Sequence, residues 1–194
     1  MKGISYLDGA AERVDKLFDG LHPPLITGIV TECNTKTVID REKVVPHLGE
    51  VAQGIWLERS FAGPERAEYV PYDRRAGDPA AIVLFSVTPK GKSMNLRFRD
   101  PGVRLICHRT PFAVMAYQSG DLVIVERQAH DLCEMTCKRV DIDGEGVFWL
   151  RSESDDPAFS EPWRIGAAGD GSDQDVNIQI IAKVLRGEID YGRN

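Results

Sequence analysis

No apolar run in this 194-residue chain approaches the roughly eighteen residues that a membrane span needs. The opening stretch, MKGISYLDGAAERVD, lacks the apolar core of a signal peptide, so a cytoplasmic protein is expected. Cysteine is scarce. The four thiols, Cys33, Cys107, Cys133 and Cys137, read as free thiols rather than a disulfide frame. His130, Cys133 and Cys137, with His108, form a thin cluster whose spacing matches no zinc pattern, so no metal and no cofactor is expected. Excess positive charge is missing too. The net charge of −6 excludes a wholly basic nucleic-acid coat, although a local DNA-reading element is still compatible with it.

What is present changes character near residue 60. Before it, apolar residues recur at helical spacing. Val14, Leu17, Phe18 and Leu21 share one face of 11–21, and 23–33 opens with prolines suited to a helix entry. A third helix is expected over 40–60, carrying Val44, Val45, Leu48, Val51, Ile55 and Trp56, with Pro46 in its first turn. Residues 61–78, rich in proline, glycine and charge, read as a linker. From 79 onward the runs are short and strand-like, at 80–87, 103–108, 121–126, 134–140, 146–151 and 178–186. Turn-forming RDPG, QSGD, DIDGEG and GAAGDGSD separate them. The expected fold is therefore α+β: a small all-α domain over 1–60, a linker over 61–78 and a mostly β domain over 79–194.

The segment TGIVTECNTKTVIDRE, 27–42, has the parts of a helix-turn-helix. Gly28 is the small residue at the crossing, Cys33 the plug in the turn, Asn34 the N-cap and Val38 the inward apolar residue. Asn34, Thr35, Lys36, Thr37 and Arg41 are the candidate DNA contacts, because such side chains bond base edges and phosphates. This segment resembles the helix-turn-helix of phage repressors, with Glu32-Cys33 where that family usually has a glycine and an aliphatic residue.

GKS at 91–93 invites a phosphate-loop reading, and the sequence refuses it. The required glycine is absent, with Ser86 in its place. Pro89 also removes one of the N–H groups that would wrap a phosphate. The nucleophile reading fares better. A serine hydroxyl needs a base, and a desolvated lysine can serve. Lys138, in EMTCKRV, shares a strand face with Thr136 and Val140, while Cys137 and Arg139 face the other way.

With these residues in view, the chain from about 79 onward resembles the C-terminal domain of LexA-type and phage-type repressors, the S24 serine peptidases. GKSMNLRFRDPG resembles the family's nucleophile segment, SGDLVIVERQAHDLCEMTCKRV its hairpin with the Lys-Arg signature, and VFWLRSESDDPAF its later strand and turn. Lys92 departs from the family pattern, which has an acidic or small residue before the serine. The resemblance implies Ser93 as nucleophile, Lys138 as general base, and self-cleavage at an Ala-Gly bond in the linker. Ala62-Gly63 is the preferred bond, with Ala76-Gly77 as the alternative. It further implies a homodimeric repressor of operator DNA, cut in a DNA-damage (SOS) response with a RecA-type co-protease filament. Two other readings stay open. One is a non-cleaving regulator whose β domain dimerises or binds an antirepressor; the other is a UmuD-like polymerase accessory protein that does not bind DNA.

Overall fold

The computed structural model of the chain describes residues 43–58, 68–100, 102–109, 116–165 and 176–189. Ten strands account for most of them: β1 (Val44–Val51), β2 (Leu57–Glu58), β3 (Glu68–Pro71), β4 (Leu84–Pro89), β5 (Val103–Arg109), β6 (Leu122–Ala129), β7 (Leu132–Ile142), β8 (Phe148–Arg151), β9 (Trp163–Ile165) and β10 (Val176–Ile189). The helical elements among the described residues are two single 3-10 turns, Ala81–Val83 and Pro157–Phe159. None is long and apolar enough to cross a membrane.

The sheet runs β3-β1-β4-β5-β10-β6-β7-β8-β9, with β2 added to β7. Every pair is antiparallel except β1 with β4. The 14-residue β10 pairs with β6 through its first half and β5 through its second, with register shifts at Ile180/Ala182 and Val184/Arg186. Such irregularities bend a strand and let a wide sheet curl. The curl brings the end of β1 back to β7, where Ala52 N–H donates to Met135 O at 2.9 Å. Inside it, Val51, Phe85, Val87, Met94, Leu105, Ile124, Cys137 and Ile181 form the largest buried apolar cluster.

The expected all-α domain over 1–60 is overturned by its last third. Residues 44–51 form a strand that lies between β3 and β4, not a helix. The apolar spacing of Val44, Val45, Leu48 and Val51 satisfies a helical template, but the local chemistry favours a sheet. Two adjacent β-branched valines suit a pleated surface, and Pro46 and Gly49 suit a helix interior badly. Gly49 takes a φ of +89° at a break in the β1/β4 register between His47 and Glu50, a bulge that glycine accommodates. The other expected helices, and the candidate DNA contacts Asn34, Thr35, Lys36, Thr37 and Arg41, lie outside the described residues. Among the described residues the sheet thus begins at Val44, well ahead of position 79, and the stretch read as linker contains β3.

The strands expected after residue 80 are present with shifts of a few residues at their ends. In the first of them, residues 81–83 wind into a 3-10 turn before β4 begins.

Candidate active site

Ser93 follows β4 through Gly91, whose φ of +76° turns the chain sharply. The serine then opens a tight turn, with the N–H groups of Arg97 and Phe98 both donating to Met94 O. Its side chain is 3% exposed. This turn is stitched to residues 153–156. Leu96 N–H donates to Glu153 O at 3.0 Å, Asn95 Nδ2 to Asp155 at 2.6 Å, and Glu153 N–H to Met94 Sδ at 3.4 Å. Lys92, the departure from the family pattern, reaches Asp156 across the surface at 3.4 Å.

Lys138 lies near the end of β7 and is 1% exposed. Its Nζ donates to Ser152 Oγ at 2.5 Å and to Gln53 Oε1, and it sits 4.2 Å from the centre of the Trp163 ring. Burial lowers its pKa from the ordinary lysine value to about 8; Glu134 and Cys137 oppose the shift and Arg127 assists it. Desolvation outweighs the carboxylate because Glu134 is itself buried and shared. It takes an ion pair from Arg127 at 3.4 Å, and its own pKa is raised, first by burial. A lysine in this condition is substantially neutral at mildly alkaline pH, as a general base must be.

The two candidate residues therefore meet one segment. Ser152 binds the amine of Lys138, while the neighbouring Glu153 binds the backbone and thioether next to Ser93. In this state the amine's hydrogen bonds go to Gln53 and Ser152, and none joins Ser93 to Lys138. A second hydroxyl–base contact, Ser86 with His47 Nδ1 at 3.1 Å, lies between β4 and β1, where Ser86 Oγ also reaches Pro46 O at 3.5 Å.

Gln53 and Ser152 were not singled out in the sequence. Ser152 lies in SESDD, which resembles an ordinary turn. Gln53 belongs to the stretch read as helix and lies 85 residues from its partner. A polar residue beside a glycine, ahead of a strand-like pair, was the available signal.

The other candidates fall as follows. Ala76 and Gly77 lie in an exposed turn, and Asp78 after it is held by Arg186 at 2.8 Å and by Tyr72 Oη at 2.5 Å. Ala62 and Gly63 lie outside the described residues. Cys137 packs in the core with its thiol pushed up to about 12 by burial. Cys107 is likewise raised by burial. His130 stands exposed between β6 and β7. Among the described residues, no three His, Cys, Asp or Glu side chains are grouped to hold a metal.

Comparison of the chain with protein-family models and with curated proteins finds no match.

Proposed function

We propose that this chain is a self-acting serine peptidase of the S24 type, a regulator that Ser93 and Lys138 inactivate by cutting its own backbone. The observation that carries the reading is Lys138: a fully buried lysine, held near pKa 8, bonded to the residue next to the one that anchors the Ser93 turn. Burying an amine costs several kcal/mol, and here the hydrogen-bond acceptors are two neutral side chains, Gln53 and Ser152. A neutral amine has two N–H groups and one lone pair. Gln53 and Ser152 can take the N–H groups, which leaves the lone pair to remove the Ser93 hydroxyl proton as the oxygen attacks a carbonyl. Tethering substrate and nucleophile in one chain supplies a high effective concentration, which offsets the modest reactivity of the dyad.

The regulatory part of the reading is a homodimeric repressor that loses its hold on operator DNA when it is cut, because the dimer no longer supplies avidity. It is supported by the likeness of the Ser93 and Lys138 segments to the repressor peptidases. The test is intact mass of the pure chain held at pH 7–9.5. Wild type should yield two fragments whose masses sum to the chain plus one water, and Ser93→Ala and Lys138→Ala should stay whole. A wild-type chain that stays whole, with or without a co-protease filament, defeats the peptidase reading. A gel shift on DNA upstream of the gene tests the repressor reading separately. Binding with strong salt dependence and no sequence preference counts against it.

One observation favours a second reading. Lys138 spends its hydrogen bonds on Gln53 and Ser152 rather than on Ser93. A regulator that never cuts, and that responds to an antirepressor, would show that arrangement permanently. Ser93→Ala indistinguishable from wild type in every repression and induction assay would support it.

A further inference from the structure

An extended peptide can bind by adding as a strand to a sheet edge. The strand that carries Lys138 has such an edge, and this chain covers it with its own residues 52–58. On one side β7 is paired with β6 along most of its length. On the other, β8 pairs only with Arg139–Ile142. The rest of that edge is occupied by the segment after β1. Ala52 N–H donates to Met135 O, Gly54 N–H bonds the Glu134 carboxylate, and Leu57 and Glu58 pair with Cys133 and Leu132. Trp56 stacks against Arg127, 5.1 Å from ring centre to guanidinium. Lys138 lies in the gap between the two covers, and Gln53 reaches it there.

The nucleophile approaches the same point from the other direction. β1 and β4 run parallel and end together, with Val51 opposite Pro89 and Val51 O accepting from Lys90 N–H at 2.9 Å. Two residues beyond Val51 is Gln53, and three beyond Lys90 is Ser93. Val51 and Met94, close in the chain to Gln53 and Ser93, share one core cluster.

We infer that Gln53–Gly54 is the peptide bond this site cuts, and that residues 52–58 are the built-in substrate strand. The inference rests on the Ser–Lys reading. In the state described, Gln53 gives its carboxamide oxygen to the amine, so the turn rotates before attack to bring the Gln53 main-chain carbonyl to Ser93 Oγ. Gly54, at a φ of +85° and with nothing within 4 Å of where a Cβ would stand, supplies that freedom. Ser93 Oγ then adds to the Gln53 carbonyl carbon and its proton passes to Lys138. The C–N bond breaks, and the proton passes on to the Gly54 nitrogen, which leaves as an amine. Water, giving its proton to Lys138, hydrolyses the Gln53–Ser93 ester; Lys138 returns a proton to Ser93. The products are a Gln53 carboxylate and a Gly54 amino terminus. The Ala76–Gly77 turn, in contrast, is held to β10 through Asp78 and Arg186.

The experiment is fragment mapping by intact mass at pH 9 on the full chain, as wild type, Ser93→Ala, Lys138→Ala and Gln53→Glu. Labelling of Ser93 by a fluorophosphonate is the independent readout of the dyad. Expected are Ser93-dependent fragments 1–53 and 54–194. Gln53→Glu should cut more slowly at pH 8, with its rate midpoint moved to higher pH, because a carboxylate beside Lys138 favours the charged amine. Ser93-dependent fragments that meet elsewhere overturn the assignment and leave the Ser–Lys reading standing. A chain that stays whole while Ser93 labels in a Lys138-dependent manner also overturns it, and makes 52–58 an uncut plug. A whole chain with an inert Ser93 removes the Ser–Lys reading itself. An unchanged midpoint in Gln53→Glu overturns the placement of Gln53 at the amine.

Discussion

Lys138 Nζ donates to Ser152 Oγ at 2.5 Å from a position almost sealed from water. The bond joins β7 to the segment that anchors the Ser93 turn. With the bond to Gln53, it fixes where the amine stands.

On the proposed Ser–Lys reading, the pH dependence of cleavage follows from Lys138. With its pKa lowered by burial to about 8, about a tenth of the amine is neutral at pH 7 and about nine-tenths at pH 9. The Ser93-dependent rate should rise about tenfold over that interval and level off above it. A single-turnover rate profile by intact mass checks this. A rate flat across pH 7–9 rules out Lys138 as the titrating base.

Ser152→Ala tests the positioning of the amine. Removing an acceptor for the ammonium favours the neutral form, so the midpoint should move to lower pH. The plateau rate should nevertheless fall, by about tenfold, because the amine is less well held. A lower plateau with an unmoved midpoint would place Ser152 outside the base's hydrogen bonding.

Lys138→Met should stabilise the fold at neutral pH while abolishing cleavage. The folded lysine titrates near 8 and an unfolded one near 10.4, so between these values the unfolded chain binds more protons. Stability therefore rises with pH through that window, and below it the full burial penalty applies. Replacing the amine should recover about 1–3 kcal/mol at pH 7, after the lost hydrogen bonds are counted. That gain should shrink between pH 8 and 10. Urea denaturation of the two chains at pH 7 and 10 measures it.

Arg186→Met tests the anchor of the 73–78 turn. Arg186 is 10% exposed and bonds Asp78, Glu188 and Asp73 O. Burial works to raise the Asp78 pKa, but the hydrogen bonds from Tyr72 Oη, Arg75 N–H and Arg186 prevail and hold it down near 2. A depressed carboxylate stabilises the fold above its unfolded pKa, and that contribution is lost as pH falls from about 4 to about 2. The variant should lose about 3 kcal/mol at pH 7 and unfold in acid at a higher pH than wild type. Urea and acid titrations followed by circular dichroism report both.

Much of the sheet was legible in the sequence. The runs at 103–108, 121–126, 134–140, 146–151 and 178–186 are strands because short apolar stretches between strong turn formers have few other ways to bury their side chains. The alternation along EMTCKRV put Lys138 and Cys137 on opposite faces, which is a local property of an extended backbone. The Val44–Val51 stretch misled because its apolar spacing serves two periods. What decided between them was pairing with β3 and with the more distant β4, where His47 stands opposite Ser86. Desolvation of Lys138 likewise needed strands from distant parts of the chain to close over it.

The sequence by itself determined the candidate chemistry: a serine after a glycine turn, and a lysine on a strand, forty-five residues apart. Only the tertiary structure decided what surrounds the lysine. The curl of the sheet brings the end of β1 to β7, which delivers Gln53, while the chain beyond β8 delivers Ser152. Ser152 follows from the β7/β8 register, which sets Arg151 opposite Arg139 and so brings the next residue to Lys138. Gln53 has no local signal, because its arrival depends on how far a wide sheet bends before β1 meets β7.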